Sequence, residues 1–353
     1  MTQIGPKPYG ILLLNTGSSS APEIPETRAY LRQFLSDPRI IDIAAWKRWL
    51  LLNLIILRTR PKKTAEAYKA IWTERGSPLI AISEDTKSAL EASFPNIPIA
   101  LGMAYGNPSI ETGMDTLIEQ GADHIIVAPL FPQYASATTG SVLNRVYDYC
   151  SEKWNVPTLS IVPPFFDDPD YLDAWAALAK PKLEEFRPDH ILMSFHGLPE
   201  RHIFKGDPSG QHCLKQPNCC ATGNRANQRC YRRHCMVTCQ GLVSRLGLTQ
   251  DQYTIAFQSR LGGDAWLEPS TEDSIEKLAQ QGVKRLAILS PAFVADCLET
   301  LEELGMGGKE SFLEHGGEDF ILVPSLNTEP QWIATLTKLI NHAVDPSLIA
   351  KHG

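Results

Sequence analysis

The sequence has no excess of basic residues and no long apolar run. Its 353 residues include 33 Lys and Arg against 40 Asp and Glu, which gives a net charge of −7 at pH 7. A general nucleic-acid binder needs a basic face to neutralise phosphates, so nucleic acid is not expected as a partner. The longest apolar run, Trp49–Leu57, is well short of the ~20 residues that cross a bilayer. We therefore expect no transmembrane helix.

Signals for secretion and for nucleotide binding are also missing. The first nine residues lack the charged and apolar regions of a secretory leader. This favours a cytoplasmic protein with reduced thiols. The turn Asn15–Ser20 is rich in Gly and Ser but matches neither GxGxxG nor GxxxxGK[ST], so no nucleotide site is expected there. The sequence has no internal repeat with a period of 20 to 50 residues, so a solenoid fold is not expected.

The run Trp49–Leu57 admits two interpretations. Lys47 and Arg48 precede it, and four basic residues follow between Arg58 and Lys63. Such a segment suits a peripheral position on a membrane surface or the mouth of an apolar ligand site. A buried helix with basic ends fits it about as well, because apolar runs of this length usually belong to a core.

Short apolar runs alternate with amphipathic stretches along the whole chain. This pattern predicts an α/β fold of two similar Rossmann-like lobes, each with a four-stranded parallel sheet flanked by helices. A Pro-rich junction near Pro163 places the lobes at 1–165 and 166–353. The eight predicted strands are Gly10–Asn15, Ile97–Tyr105, His124–Leu130, Thr158–Val162, His190–His196, Tyr253–Gln258, Arg285–Ser290 and Phe320–Val323.

The ends of these strands carry the chemically specific residues, where ligands bind in such folds. His196 ends the fifth strand and is followed by Gly197. Histidine exchanges protons near neutral pH and also binds metals, although a lone His is more often structural. After the seventh strand, Asp296, Glu299 and Glu303 recur at i, i+3 and i+7. One helical face would then carry three carboxylates, either as a solvated acidic face or as a path for a divalent cation.

Several segments together resemble the ferrochelatases, which insert ferrous iron into a porphyrin. They extend over nearly the whole chain and include Tyr30–Arg39, Gly76–Leu79, Pro132–Tyr134, Thr138–Gly140, Ser194–Pro199, Phe257–Arg260, Trp266–Pro269 and Asp296–Glu303. The resemblance implies a lyase with a cleft for the macrocycle between two lobes. It makes His196 and Glu299 the catalytic and metal-binding pair, with Asp296 and Glu303 extending the metal site.

The resemblance also implies which residues contact the porphyrin and what the reaction yields. The expected contacts lie at or near strand ends and are Asn15, Tyr105, Tyr134, Thr138 and Trp266. Protoporphyrin IX would take up Fe(II) and release two protons to give protohaem. Two alternatives are a coproporphyrin III ferrochelatase and a non-catalytic porphyrin-binding or iron–sulfur sensor protein. Oligomeric state leaves no trace in the sequence.

Six of the eight cysteines fall between Cys213 and Cys239, in a segment at about 208–239 that looks like an insertion. Disulfides are disfavoured in a reducing compartment, and zinc usually binds CxxC pairs that this segment lacks. The short C-x2-C-x2-C spacing of a [4Fe–4S] site is also missing. A [2Fe–2S] cluster is therefore favoured, and the resemblance supports it. The predicted ligands are Cys213, Cys220, Cys230 and Cys235, with Cys219 and Cys239 as alternates.

Overall fold

The structure is a computed structural model that describes residues 9–260 and 263–344. Residues 1–8, on which the expectation about a leader rests, lie outside the described part. Eight strands are present in it: β1 Tyr9–Gly17, β2 Ile99–Tyr105, β3 His124–Pro129, β4 Thr158–Ile161, β5 His190–His196, β6 Tyr253–Gln258, β7 Arg285–Leu289 and β8 Asp319–Leu322.

The strands form two four-stranded sheets with the same topology. The first has the order β2-β1-β3-β4 and the second the order β6-β5-β7-β8, and all neighbouring strands are parallel. The predicted α/β class with two parallel sheets is confirmed. The bounds of β5 and β6 coincide with the prediction, and the other strands differ from it by one or two residues at an end.

Helices follow the strands, as parallel connections require. The α-helices are α1 Ile24–Ser36, α2 Ala45–Leu50, α3 Leu57–Ile71, α4 Pro78–Glu91, α5 Ile110–Glu119, α6 Ser141–Ser151, α7 Pro169–Phe186, α8 Glu200–Gly206, α9 Tyr231–Leu246, α10 Thr271–Gln280, α11 Lys309–Glu314 and α12 Pro330–His342. The described residues also form three π-helices: π1 Leu51–Ile56, π2 Ser136–Gly140 and π3 Glu299–Gly308. No helix among the described residues is long and apolar enough to cross a membrane.

The contacts within the chain divide it into two compact units. Of the described residues, the first unit comprises 9–131, 136–164 and 333–344, and the second comprises 132–135, 165–260 and 263–332. Each sheet forms the centre of one unit. The central strand β1 contains the run Ile11–Leu14, whose side chains are fully buried. Burial on both faces explains why the strands read as continuous apolar runs.

The apolar run Trp49–Leu57 extends through π1 in the first unit and is buried on one face and exposed on the other. Leu52, Ile56 and Leu57 are buried in a cluster with residues of α1. Trp49 and Ile55 are 60% and 57% exposed. The segment therefore packs one face into the core and presents the other, with its basic flanks, to solvent.

Candidate active site

His196 is the last residue of β5, and the next peptide fixes its imidazole. Its Nδ1 lies 2.7 Å from the carbonyl oxygen of Gly197. Because a carbonyl only accepts, Nδ1 carries a proton, and in the neutral imidazole the lone pair is on Nε2. Position 197 must be glycine, since a Cβ there would lie 2.6 Å from the carbonyl oxygen of Gln258. The glycine that follows His196 is therefore required by the close approach of the β6 backbone.

Glu303 in π3 lies close enough to His196 and Glu299 to interact with both electrostatically. Its Oε2 accepts a hydrogen bond of 2.6 Å from Ser259, just beyond the end of β6. Burial raises the pKa of the Glu303 carboxyl, the Ser259 hydrogen bond and His196 lower it, and the Glu299 charge raises it further. A histidine and two carboxylates therefore form one electrostatic cluster at the carboxyl ends of the second sheet.

Gln258 connects the strands to the helix that carries these carboxylates. Its side-chain amide donates to the carbonyl oxygen of Glu299 at 3.1 Å and accepts from Ser194 Oγ at 2.9 Å. Gln258 is buried, so both hydrogen bonds are shielded from water. The start of π3 is thereby held against β5 and β6.

Asp296 does not share a helical face with Glu299 and Glu303, because it lies in the loop before π3 begins. This differs from the predicted i, i+3, i+7 arrangement. Its buried carboxylate accepts from Asn327 Nδ2 at 2.8 Å, from the Ser325 amide at 3.1 Å and from Thr300 Oγ1 at 3.2 Å. These hydrogen bonds use both oxygens to join the loop after β8 to the start of π3.

The residues expected to contact the porphyrin are divided between the units. Asn15, Tyr105 and Thr138 belong to the first unit. The Asn15 side chain is buried and accepts from the Thr16 amide. Tyr105 donates a hydrogen bond of 2.7 Å to Asp37, and burial together with this carboxylate raises the pKa of its hydroxyl. Thr138 lies half-buried in π2.

Trp266 and Tyr134 belong to the second unit. Trp266 is half-buried, pairs with Pro199 through a short bridge, and lies beside Gly197. The Tyr134 amide donates to Nδ1 of His234 at 3.1 Å, and the Arg229 guanidinium lies 5.7 Å from the Tyr134 ring centroid. Helix α9, which contains His234, therefore fixes the position of Tyr134.

The cysteine-rich segment consists of a loop, 207–230, followed by α9. Asp207 organises the loop by accepting hydrogen bonds from the amides of Ser209, His212 and Cys213. Asn227, fully buried, donates to the carbonyl oxygens of Cys219 and Thr222. The loop is thus a defined structure held by its own side chains.

Four thiols contact one another within this loop. Cys219 and Cys220 have their sulfur atoms 3.9 Å apart. The Cys230 thiol lies close enough to two others to change their pKa, since it lowers that of Cys213 and raises that of Cys220. Cys235 and Cys239 lie in α9 instead, where burial raises the pKa of the Cys239 thiol to about 12. All six are free cysteines.

Hydrogen-bond donors approach two of these sulfur atoms. The Leu214 amide donates to Cys219 Sγ at 3.4 Å, and the Arg232 guanidinium donates to Cys220 Sγ at 3.3 Å. Both histidines near the loop have other partners, since His212 Nε2 bonds the Cys219 carbonyl and His234 Nε2 bonds the Gln228 carbonyl. Across residues 9–260 and 263–344, no three His, Cys, Asp or Glu side chains converge on one metal position.

Sequence reasoning gave no role to Gln258, Ser259 or Tyr231, which all contact the site. The first two lie in Phe257–Arg260, a segment that carries the family resemblance. Their roles depend on how π3 lies against β6, for which the local sequence has no signal. Tyr231 follows Cys230 directly and donates a hydrogen bond to His196.

Comparisons with a family model and with individual proteins point to the same family. The ferrochelatase family model matches residues 8–344. The chain is 45% identical to the ferrochelatase of Stutzerimonas stutzeri, over 94% of this chain and 97% of that protein. It is 46% identical to the ferrochelatase of Ectopseudomonas mendocina, over 95% of this chain and 98% of that protein.

Solved structures with the same fold are more distant in sequence. SirB from Bacillus subtilis, solved with Fe3+, matches with a TM-score of 0.55 at 13% identity and covers 96% of both chains. The sirohydrochlorin chelatase SirB from the subspecies spizizenii, in complex with cobalt, matches with a TM-score of 0.53 at 10% identity, over 95% of this chain and 94% of that one. At these identities the likeness concerns the fold alone.

Proposed function

Because this chain belongs to the ferrochelatase family, we propose that His196, Glu299 and Glu303 carry out the family's reaction at the carboxyl ends of the second sheet. The enzyme is a lyase that inserts ferrous iron into protoporphyrin IX, which yields protohaem and two protons. The observation that supports this site is the electrostatic cluster in which Glu303 interacts with both His196 and Glu299.

Two pyrrole protons require two acceptors. His196 Nε2 has a lone pair because Nδ1 donates to Gly197, and it takes the first proton. Glu303 takes the second, since burial raises the pKa of its carboxyl into a more basic range. Glu299 provides an oxygen ligand for incoming Fe(II), for which carboxylate and imidazole are suitable donors. Asp296 anchors the helix through its three hydrogen bonds rather than binding iron.

The test is Fe(II) insertion into protoporphyrin and coproporphyrin III, measured side by side. The wild type is expected to prefer protoporphyrin, and His196→Ala to lose at least about a hundredfold in kcat, as the loss of an acid–base group does. Glu299→Gln is expected to lower kcat as well, because it replaces a charged oxygen ligand for Fe(II) with a neutral amide. Glu302→Gln, on the same helix, is the matched control and keeps the wild-type rate. Absence of insertion with both porphyrins would leave only a binding or sensor role.

For the cysteine-rich loop we propose a [2Fe–2S] cluster held by Cys213, Cys219, Cys220 and Cys230. A binuclear cluster needs two cysteine thiolates for each iron, because bridging sulfides complete the coordination. The pairs Cys219/Cys220 and Cys213/Cys230 could each supply two thiolates to one iron. Two thiolates for each iron do not require three side chains to converge on one metal position. The Leu214 and Arg232 donors support it too, since hydrogen bonds to sulfur offset thiolate charge. When bound, such a cluster supplies a one-electron redox centre.

We further propose a peripheral contact with the cytoplasmic face of a membrane through α2 and π1. The exposed side chains Trp46, Trp49, Leu54 and Ile55 form the apolar part of this surface. Arg58, Arg60, Lys62 and Lys63 are exposed next to it in α3. Exposed tryptophans beside basic residues favour binding to an anionic bilayer, which would keep the enzyme near an apolar substrate.

A further inference from the structure

Helix α9 begins immediately after the cysteine-rich loop and contacts the active site at its first residue. Tyr231 is buried, and its hydroxyl donates a hydrogen bond of 2.8 Å to the carbonyl oxygen of His196. Burial raises the pKa of this hydroxyl well above its usual value, so it stays protonated and remains a donor. The contact joins residues 35 positions apart in the chain.

The Tyr231 hydroxyl is one of two groups that fix the peptide between His196 and Gly197. On the other side of that peptide, the Gly197 amide donates to the Gln258 carbonyl at 2.7 Å. The plane of this peptide is therefore held at both its C=O and its N–H. Since His196 Nδ1 donates to the Gly197 carbonyl, the orientation of the imidazole depends on the same short stretch of backbone.

Tyr231 is also linked to the thiols. It follows Cys230, one of the four contacting cysteines, and the Cys235 thiol one turn later lies close enough to add to the effect of burial on the pKa of its hydroxyl. The hydroxyl that donates to the His196 carbonyl therefore also lies beside a thiol of the cysteine-rich segment.

We propose that Tyr231 is a positioning residue that holds the His196 imidazole in its reactive orientation and transmits the state of the cysteine-rich segment to it. The inference rests on the proposed function, because it assumes that His196 takes part in proton removal. Tyr231 touches neither porphyrin nor iron in this role. Its hydroxyl matters for the rate of insertion and not for the binding of the macrocycle.

The experiment compares Tyr231→Phe with the wild type, with His196→Ala, and with Tyr253→Phe as the matched control. Tyr253 loses a hydroxyl that bonds only Gln250 at the surface. Iron insertion, porphyrin affinity by fluorescence quenching, and the melting temperature are measured for each. We expect Tyr231→Phe to lower kcat about tenfold, as the loss of one orienting hydrogen bond would, with porphyrin Kd within twofold of the wild type.

Further variants test the link to the thiols. Cys235→Ala is expected to lower kcat by less than Tyr231→Phe, and the double variant to match Tyr231→Phe because both act through one hydroxyl. A wild-type kcat in folded Tyr231→Phe, or parallel losses of kcat and porphyrin affinity, overturns the positioning role. Additive losses in the double variant overturn the link. Full activity of His196→Ala would instead overturn the proposed function.

Discussion

Ser259 donates a hydrogen bond of 2.6 Å to Glu303 from a left-handed backbone conformation, with φ at 66°. Few residues other than glycine adopt this conformation, and where they do, the strain is often associated with function. Here the unusual backbone directs the hydroxyl to the one carboxylate that interacts with both His196 and Glu299. The turn after β6 therefore tunes the protonation of the site.

Removal of this hydroxyl is expected to change the pH dependence of iron insertion. The Ser259 hydrogen bond lowers the pKa of Glu303 and so opposes burial. In Ser259→Ala the carboxyl stays protonated to higher pH, and the acidic limb of kcat/KM for iron shifts to higher pH. Rates measured from acidic to mildly alkaline pH test this, with the exposed Ser244→Ala as control. Superimposable profiles of Ser259→Ala and the wild type would contradict it.

Loss of the Asp296 carboxylate is expected to reduce stability. Asp296→Ala leaves the Asn327 amide and the Ser325 N–H without their acceptor. One buried and one half-buried donor without partners cost about 3 kcal/mol of unfolding free energy. Urea unfolding of Asp296→Ala, Asn327→Ala and the double variant measures the loss. The double variant should be less destabilised than the sum of the singles, and strict additivity would refute the shared contact.

His234 should make the protein less stable in acid. Burial and the Arg233 charge outweigh the hydrogen bond to Gln228 and lower the pKa of its imidazole to about 4. The unfolded chain takes up this proton near pH 6.5 and the folded chain only near pH 4, so stability falls as the pH drops through that window. At pH 5 the loss is about 2 kcal/mol relative to pH 7. His234→Gln should lose less stability than the wild type between pH 7 and pH 5. An equal loss in the two proteins would show that His234 is not its cause.

The four contacting thiols should be needed for the cluster, whereas Cys239 should not. Single Ser substitutions of Cys213, Cys219, Cys220 and Cys230 are expected to abolish the visible absorption of anaerobically purified protein. Cys239→Ser should keep it, because that thiol lies in α9 away from the loop pairs. Cys219→Ser and Cys235→Ser separate the ligand set proposed here from the one predicted from the sequence. Loss of absorption in Cys219→Ser but not in Cys235→Ser would favour the set proposed here. A colourless wild type with stoichiometric zinc would refute the cluster.

The exposed apolar surface should determine binding to vesicles. Trp49→Ser with Ile55→Ser removes two side chains that are more than half exposed. Since each buries apolar area on a bilayer, affinity for anionic phospholipid vesicles should fall at least about tenfold in co-sedimentation. Trp154→Ser is the control, because Trp154 is 98% exposed but lies outside this surface. No vesicle binding by the wild type would refute the proposed contact.

Most of the fold could be predicted from the sequence because the central strands are buried apolar runs, as in β2 and β5. His190–His196 and Tyr253–Gln258 coincide with the prediction, since each begins and ends where polarity changes. β1 continues past Asn15 to Gly17, which pairs with Tyr105. A Cβ at Gly17 would lie 1.8 Å from the Tyr105 carbonyl oxygen. That close approach depends on a strand far along the chain and is invisible locally.

The site was harder to predict than the strands. The sequence proposes His196, Glu299 and Glu303 because the first ends a strand and the other two belong to the segment Asp296–Glu303 that carries the family resemblance. Asp296 was placed on their helix because its spacing suits an α-helix, yet the helix begins after it and is a π-helix. Its partner Asn327 lies 31 residues away. The ligand set of the proposed cluster remains a prediction, and the positions of Cys213 and Cys219 depend on a loop shaped by Asp207 and Asn227, which no spacing rule describes.

The assignment of α12 to the first unit has a consequence for synthesis on the ribosome. From Ile333 onward this helix belongs to the unit that contains β1, and its Leu336 and Ile340 are buried. The whole second unit must be translated before these side chains exist. The first unit therefore leaves the exit tunnel without this helix and is completed only after the second unit has been made. Completion of the first unit is a late event, although its strands are made first.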